Sequence, residues 1–159
     1  MDVFGDLSAG SIQLRAMLQE IDACNKWTAR YGLHLSEEQG ADLLARRQSA
    51  LAENGRVEFG QGILKELAVA FCDCPYVTQD NYLDTLMELQ DSFYYFKNES
   101  EDQIADDELI AQMRRYFDTV CQGSLAYLNG PSLEELCRRT RGNGGEEAEG
   151  AGQWDWRDL

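Results

Sequence analysis

The sequence predicts an all-α fold, a single-domain bundle of five to six helices around a central helix at about residues 78–98. Three observations favour this fold. Apolar residues recur at steps of three and four along most of the chain, which is the period of one helix face. Capping residues precede several of these segments, and glycine or proline follows them. Because the connections are short, neighbouring helices are expected to pack antiparallel.

The central helix is predicted from a regular apolar pattern at steps of 4, 3, 4 and 3. This main stripe consists of Tyr82, Leu86, Leu89, Phe93 and Phe96. A second stripe of Leu83, Met87 and Tyr94 widens the apolar arc beyond what a surface helix needs. Thr78 is the expected cap of the first turn. The helix is therefore expected to lie at the centre of the core.

The chain before the central helix begins with residues 1–8, which are predicted to be a loose lead-in. A first helix is expected from about Ala9 to Tyr31, with an apolar stripe through its middle, and Gly32 ends it. The next helix starts at a capping box, in which Ser36 and Gln39 satisfy each other's free backbone donors.

Glycine and proline mark the ends of the next two segments. Asn54-Gly55 stops the second helix, and a connector over residues 56–60 follows it. A third helix is expected over about residues 62–72. Pro75 disfavours helical backbone at the residue before it, so the chain must turn there before the central helix begins.

The chain after the central helix enters an acidic stretch, residues 98–108, which holds six acids and no base. Most of it is expected to be solvated, so that removing the carboxylate of Asp102 should change stability little. Asp106 is the expected N-cap of a helix that Gly123 closes. A final helix ends near Arg141, so the helical domain is placed at residues 1–141.

The charge balance narrows the possible partners. The chain has 29 Asp and Glu against 14 Lys and Arg, a formal net charge of −15. Such a surface repels phosphate backbones, so nucleic acid is not an expected ligand. No apolar run approaches the roughly 20 residues of a membrane span, and the N-terminus lacks the features of a secretory signal. The five cysteines are interpreted as reduced thiols, which predicts a cytoplasmic protein.

Three motifs were weighed as metal or catalytic sites. Cys72 and Cys74 form a Cys-x-Cys pair, but structural zinc usually needs four Cys or His ligands, and His34 is the sole histidine. The acidic stretch at 99–108 lacks the spacing of a calcium loop. His34 has no nucleophile motif beside it. We therefore expect no catalytic residues, no metal and no cofactor.

A cluster of polar residues is the candidate ligand-binding site. Four aromatics in succession cover every side of the end of the central helix, so Tyr95 is expected to face outward. The candidate residues are Arg56, Glu58, Tyr95, Lys97, Asn98 and Glu99. The alternative is that local ion pairs among these residues simply fix the end of the helix.

The last residues, 142–159, are predicted to be a disordered Gly/Glu-rich tail, since they cannot bury enough surface to offset their ordering entropy. Trp154 and Trp156 near its end lie on the same side of an extended chain. Large aromatic side chains on a flexible tether are candidate anchors for a protein partner. The alternative is an unconstrained chain end.

The ordered residues resemble a family of small bacterial proteins known only as a domain of unknown function. The resemblance covers about Cys24 to Arg141. The motifs that carry it are Gly55-Arg-Val-Glu-Phe-Gly60, Phe71-Cys-Asp-Cys-Pro-Tyr76 and Phe93-Tyr-Tyr-Phe-Lys-Asn-Glu99. Serine is the usual family residue at position 74, which argues further against a Cys-x-Cys metal site. The resemblance implies no activity, cofactor or catalytic residue.

The sequence therefore favours a non-catalytic cytoplasmic protein that binds another protein. The acidic surface and the two tail tryptophans are the observations behind this expectation. The alternative is an enzyme or a small-ligand-binding protein that uses the Arg56/Glu58 and Tyr95–Glu99 groups. Convergence of those groups in one pocket would favour the alternative. The identity of the partner and the oligomeric state stay open.

Overall fold

The computed structural model of the chain describes residues 3–58 and 62–143. Within these residues every regular element is helical, which confirms the all-α, single-domain prediction. The α-helices are α1 (Val3–Thr28), α2 (Glu37–Glu53), α3 (Leu64–Phe71), α4 (Tyr82–Glu99), α5 (Asp106–Asp118), the single turn α6 (Leu125–Tyr127) and α7 (Leu133–Asn143). A 3-10 turn, Ala29–Tyr31, follows α1, and a kinked segment, Leu128–Ser132, with non-helical backbone at Gly130, joins α6 to α7.

Helix α4 is the centre of the bundle, as predicted. It packs against α2, α3, α5 and α7. All members of its main stripe are buried: Tyr82, Leu86, Leu89, Phe93 and Phe96. The helix begins later than expected, because the side chain of Asn81 organises the preceding residues as a turn. Asn81 accepts a hydrogen bond from the backbone N–H of Thr78 and donates one to the carbonyl of Tyr76.

Helix α1 begins at Val3, so the prediction of a loose lead-in at residues 1–8 and a helix start at Ala9 was wrong. Residues 3–8 contain no proline, and one glycine inside a long helix costs only about 1 kcal/mol relative to alanine. The sequence therefore offers no strong stop signal before Ala9. Farther along α1, Met17 and Ile21 are buried against the core.

Helix α2 starts at the predicted capping box. The Ser36 hydroxyl accepts a hydrogen bond from the backbone N–H of Gln39, and the Gln39 side chain accepts one from the N–H of Ser36. Gly40 lies in the first turn at the crossing with α1, where a Cβ would stand 3.2 Å from a methyl of Leu18. The missing side chain therefore lets α1 and α2 approach closely.

Helices α2 and α4 run side by side in the same direction. Arg46 Nε donates to Asp91 at 3.0 Å near their middles, and Asn98 donates to the carbonyl of Asn54 at 2.8 Å where both helices end. Two parallel neighbours must be separated along the chain by an element that returns in the opposite direction. Helix α3 is the α-helix that lies between them along the chain.

Helices α3 and α5 form a second parallel pair. Arg114 on α5 donates to the carbonyl of Ala70 at 2.6 Å and to the carboxylate of Asp73 at the same distance. One turn farther along, the thiol of Cys74 donates to Asp118 at 3.0 Å. Arg114 therefore holds the C-terminal end of α3, where backbone carbonyls lack helical partners.

Helix α5 begins at Asp106 with Ala105 as its N-cap, so the prediction of Asp106 as the cap was wrong by one position. The physical reason is that the Asp106 carboxylate pairs with Lys97 of α4 at 2.9 Å and is not turned back onto its own helix. The three acids of the first turn still lie at the positive end of the helix dipole, as predicted.

The C-terminal elements cover the remaining face of α4. Leu128, Leu133 and Cys137 are buried there, and Ser92 of α4 hydrogen-bonds the side chain of Asn129. Helix α7 continues to Asn143, two residues past the predicted domain end at Arg141. The rest of the predicted tail, with Trp154 and Trp156, lies outside the described residues. None of the helices that the structure describes has the length and apolar character needed to cross a membrane.

Candidate functional site

The structure brings several of the predicted site residues together where α2 and α4 end. Arg56 Nη1 donates to the Asn98 side chain at 2.7 Å, and Arg56 Nη2 donates to Asp102 at 2.8 Å. Asn98 in turn donates to the carbonyl of Asn54. We call Arg56, Lys97, Asn98, Asp102 and Asp106 the polar cluster. Within this cluster, Arg56 joins the segment after α2 both to α4 and to the loop that follows α4.

Lys97 is the buried member of the polar cluster, with 6% of its surface exposed. Its ammonium group donates to the carbonyl of Ile104 at 2.6 Å and pairs with Asp106 at 2.9 Å and Asp102 at 3.8 Å. A buried ammonium group needs such partners, since an isolated one would be strongly disfavoured. Lys97 therefore fixes residues 100–105 over the end of α4.

The backbone of this loop closes α4 with a Schellman motif. Asp102 N–H donates to the carbonyl of Lys97 at 2.8 Å, and Glu101 N–H donates to the carbonyl of Asn98 at 2.9 Å. Glu101 and Asp102 have φ values of 56° and 59°, in the left-handed region where glycine is usual at such ends. The Asp102 contacts with Arg56 and Lys97 help to hold this unfavourable backbone in place.

Glu58 does not join the polar cluster but enters a separate buried triad with Arg47 and Tyr94. Glu58 Oε1 accepts from Arg47 Nε at 2.9 Å and from the Tyr94 hydroxyl at 2.5 Å. Arg47 is 1% exposed and the Glu58 side chain 19%. Burial, and next the hydrogen bond to Glu58, raise the pKa of the Tyr94 phenol, so Tyr94 acts as a donor at neutral pH.

Gly62 lies directly against this triad. Its φ of +57° is left-handed, and a Cβ at this position would lie 1.9 Å from Glu58 Oε1. Since that oxygen is held by Arg47 and Tyr94, it cannot move aside without losing hydrogen bonds. The glycine is therefore required both for its backbone angle and for the space that it leaves to the carboxylate.

The remaining two predicted site residues are Tyr95 and Glu99 at the end of α4. Tyr95 is 44% exposed, as expected for a side chain off the main stripe. Its ring packs edge-on against that of Phe96, with the two ring centroids 5.1 Å apart. Glu99 is half-buried at the last position of α4. Of the six candidates, Arg56, Lys97 and Asn98 thus belong to the polar cluster and Glu58 to the triad, while Tyr95 is exposed and Glu99 is half-buried.

Sequence reasoning missed two partners, Arg47 and Tyr94, as members of a polar site. Arg47 occupies a core position in the apolar stripe of α2, between Leu43 and Ala50. A charge at a core position signals a buried partner of opposite charge, and Glu58 was available nearby in sequence. Tyr94 gave no comparable signal, because an aromatic residue in an apolar stripe predicts only a buried position in the core.

The described polar contacts of the polar cluster and the triad are made within the domain. The contacts described above end on other groups of the same chain and join α2, α4 and the α4–α5 loop. Arg47 Nη2 is a buried nitrogen without a hydrogen-bond partner among the described residues, which makes Arg47 depend strongly on its bond to Glu58. Both groups of residues are therefore suited to holding the helices together.

The cysteine pair is arranged as two buried thiols. Cys72 donates to the carbonyl of Val69 at 3.3 Å and Cys74 donates to Asp118. Burial, followed by the hydrogen bond to Asp118, raises the pKa of the Cys74 thiol to about 11. At neutral pH Cys74 is therefore protonated, whereas metal binding requires the thiolate. Within the described residues no three potential ligands form a metal-binding group.

An open groove runs between α1 and the segment after it. It has a volume of about 570 Å³, and Leu14, Leu18 and Ile21 of α1 face His34 and Leu35 across it. The backbone of His34 is fixed, because the Gln79 side chain donates to its carbonyl and accepts from its N–H, both at 2.8 Å. The rim of this groove carries one base and two acids, Arg15 together with Asp22 and Glu37.

A second groove lies between the parallel helices α3 and α5, and we call it the α3–α5 groove. It has a volume of about 530 Å³. Its lining residues are Lys65, Glu66, Val69, Ala70, Asp107, Ile110 and Ala111. Val69, Ala70, Ile110 and Ala111 form an apolar floor, and Glu66 and Asp107 lie at one end. Lys65 lies at the same end as Glu66, so the groove combines an apolar surface with two acids and one base.

The acids at this end of the groove influence each other. Burial is the main reason that the pKa of Glu66 is raised, and the negative charges of Asp106, Asp107 and Glu58 raise it further. Asp106 is paired with Lys97, whereas Glu66 and Asp107 face the groove. Like charges at close range disfavour ionisation, so a cation placed beside Glu66 would be stabilised.

The fold and these surfaces define the chain as a small all-α domain with polar side chains that join its helices and with open surface grooves. It belongs to a family of unknown function, DUF6323, whose model matches residues 20–146. The match includes the polar cluster, the buried triad and the α3–α5 groove, and it ends before Trp154 and Trp156. No curated protein matches the chain. No solved structure matches it either.

Proposed function

We propose that the chain is a non-catalytic, protein-binding domain of the bacterial cytoplasm. The observation that carries this proposal is the α3–α5 groove, which is open to solvent and has an apolar floor. Val69 lines the groove together with Ile110 and Ala111, and 36% of its surface is exposed. Exposed apolar surface rimmed by polar residues is typical of protein-interaction sites.

The small-ligand alternative has less support from the geometry. It requires the Arg56/Glu58 and Tyr95–Glu99 groups to converge on a ligand. Arg56 instead donates to Asn98, Lys97 donates to the carbonyl of Ile104, and Glu58 accepts from Arg47 and Tyr94. Groups already engaged in this way would have to break internal bonds, including one with a buried arginine, before they could bind a ligand.

The tail supplies a second proposed contact with the partner. Trp154 and Trp156 each offer a large apolar area, and the glycine-rich residues before them would let them reach a surface away from the domain. The reduced state of the cysteines supports the cytoplasmic location, since four of the five are buried free thiols.

Site-directed photo-crosslinking in the native cell tests this proposal. A photoreactive phenylalanine would replace Val69 in the groove or Trp154 in the tail, and Val120 as the control. Val120 is also an exposed valine, 62% exposed, but it lies past the end of α5. A defined protein adduct at Val69 or Trp154, absent from Val120, is the expected result. Equal or absent adducts at all three positions would exclude the proposal.

A further inference from the structure

The floor of the α3–α5 groove fits a narrow apolar side chain between two helices. Its lining residues span Lys65 to Ala70 on α3 and Asp107 to Ala111 on α5. Five residues of helix extend over about 7 Å, which is enough for one or two side chains at i and i+4 of an incoming helix. The two alanines keep the floor open, because longer side chains there would fill it.

The charge at the end of the groove selects among possible occupants. Glu66 and Asp107 face the groove, whereas Asp106 and Glu58 nearby are paired with Lys97 and Arg47. Lys65 is the one base among the lining residues. An acidic occupant would add to a repulsion that the fold already contains. A basic occupant would reduce it and would be attracted over distances up to about the Debye length of 8–10 Å.

The negative charge disfavours two other occupants, a second copy of this chain and the chain's own tail. A second copy would bring another formal charge of −15 toward the first. The tail itself is acidic as well. Residues 144–159 contain five acids, at positions 146, 147, 149, 155 and 158, against one arginine at 157, a net charge of −4. The tail tryptophans are therefore better suited to another surface than to this groove.

We infer that the α3–α5 groove receives a basic amphipathic helix of another protein, with an apolar side chain on Val69 and Ile110 and a Lys or Arg beside Glu66 and Asp107. This inference rests on the proposed protein-binding function and adds the chemistry of the partner. Burial of apolar surface on the floor of the groove provides affinity. The acids orient the incoming helix and raise its rate of association.

The test uses the full chain and a fluorescein-labelled helical peptide with leucines at i, i+3, i+4 and i+7 flanked by lysines. Its counterpart carries glutamates in place of the lysines. Fluorescence anisotropy at low salt is expected to give saturable binding of the lysine peptide and at least about tenfold weaker binding of the glutamate peptide. Failure of the lysine peptide to bind, or equal binding of both peptides, would overturn the inference.

Variants of exposed groove residues locate the binding site. Val69→Lys should weaken binding of the lysine peptide by at least about tenfold, because it removes apolar contact and adds like charge. Glu66→Gln and Asp107→Asn should each weaken it about three- to fivefold, as expected for single charge pairs near the surface. The matched controls are Val120→Lys and Glu38→Gln, which make the same changes at exposed positions away from the groove.

The outcomes separate this inference from the function on which it rests. Binding that responds to the groove variants and not to the controls supports it. Binding that responds equally to the groove variants and the controls shows general attraction to an acidic surface and overturns it. If photo-crosslinking at Val69 captures a protein while Glu66→Gln and Asp107→Asn bind the lysine peptide as the wild type does, the protein-binding function stands and the basic-helix inference fails.

Discussion

The hydroxyl of Tyr94 lies 2.5 Å from Glu58 Oε1, and that same oxygen accepts the hydrogen bond from Arg47. One carboxylate oxygen thus joins the centre of α4 to a buried arginine of α2. Hydrogen bonds to charged acceptors are stronger than neutral ones, and here the bond also keeps the carboxylate in place for the arginine. This relationship makes the triad a sensitive point of the fold.

Tyr94→Phe should lower the free energy of unfolding by about 1.5–3 kcal/mol, the usual range for a hydrogen bond to a charged group. The phenylalanine ring preserves the packing, so the loss reports the hydroxyl. Urea unfolding monitored by circular dichroism would measure it. The control is Tyr127→Phe, which removes a hydroxyl from a side chain that is 66% exposed. Equal losses in the two variants would mean that the Tyr94 bond contributes nothing specific.

Glu58→Ala should lower the free energy of unfolding by about 3–5 kcal/mol, more than Tyr94→Phe, because it leaves the buried charge of Arg47 unpaired. The same substitution in an Arg47→Met background should cost much less, since no buried charge remains. Urea unfolding of the four proteins forms a double-mutant cycle. Additive losses would show that the pair is not coupled.

Gly62→Ala should destabilise the protein more than Gly55→Ala, although both glycines have left-handed backbone. At Gly55, where φ is +64°, a Cβ meets nothing within 4 Å, so only the backbone penalty of about 1–2 kcal/mol applies. At Gly62 the Cβ would displace the carboxylate of Glu58 as well. Thermal unfolding of both variants measures the difference, and a Tyr94→Phe background should reduce it. An equal effect at the two positions would contradict the proposed packing.

Asp102 should make stability depend on pH in the acidic range. The hydrogen bond from Arg56 is the main reason that the pKa of Asp102 lies below its ordinary value. A lowered pKa means that the contribution is present above about pH 4 and is lost as the pH falls through the value in the folded state. Because Asp102 is more than half exposed, the contribution at neutral pH should stay below about 1 kcal/mol.

The measurement is the free energy of unfolding of the wild type and Asp102→Asn from pH 7 to pH 2. The variant should lose less stability on acidification than the wild type does. Arg56→Gln should have the same effect, and the double variant should resemble either single one. A variant that follows the wild-type pH dependence would show that the Arg56–Asp102 pair does not form in solution.

Phe93→Ala should lower the free energy of unfolding by about 3–5 kcal/mol, since Phe93 is buried on the main stripe of α4. The matched control is Tyr95→Ala two positions along, where 44% exposure predicts a smaller loss. Urea unfolding compares the two. A loss below about 1 kcal/mol for Phe93→Ala would contradict the central position of α4.

The sequence predicted best the features that depend on residues close to one another along the chain. The stripe of α4 and the capping box at Ser36 and Gln39 each lie within one helix, and the structure confirms both. The start of α1 was misplaced because residues 3–8 contain no strong start or stop signal. Helix-end positions depend on small free-energy differences, which tertiary contacts can reverse.

The candidate site was only partly predictable because its contacts join distant segments. The sequence identified Arg56 and Asn98 as site residues, but not that Asp102 would bind Arg56 across the loop. The expectation that removing the carboxylate of Asp102 changes little treated the acidic stretch as solvated. With Arg56 and Lys97 as partners, Asp102 is instead expected to affect acid stability. A run of charges in sequence does not show which of them the fold will pair.

The closed end of α4 also has a consequence for the order in which the chain folds. The bond from Lys97 to the carbonyl of Ile104 spans seven residues, whereas the pair of Arg56 and Asp102 spans 46. Contacts that close short loops form with a smaller entropic penalty than distant ones. The α4–α5 hairpin can therefore assemble with its turn already set by Lys97, and α2 then docks onto a preformed surface. Substitutions at Lys97 should accordingly slow folding, and those at Arg56 should mainly speed unfolding.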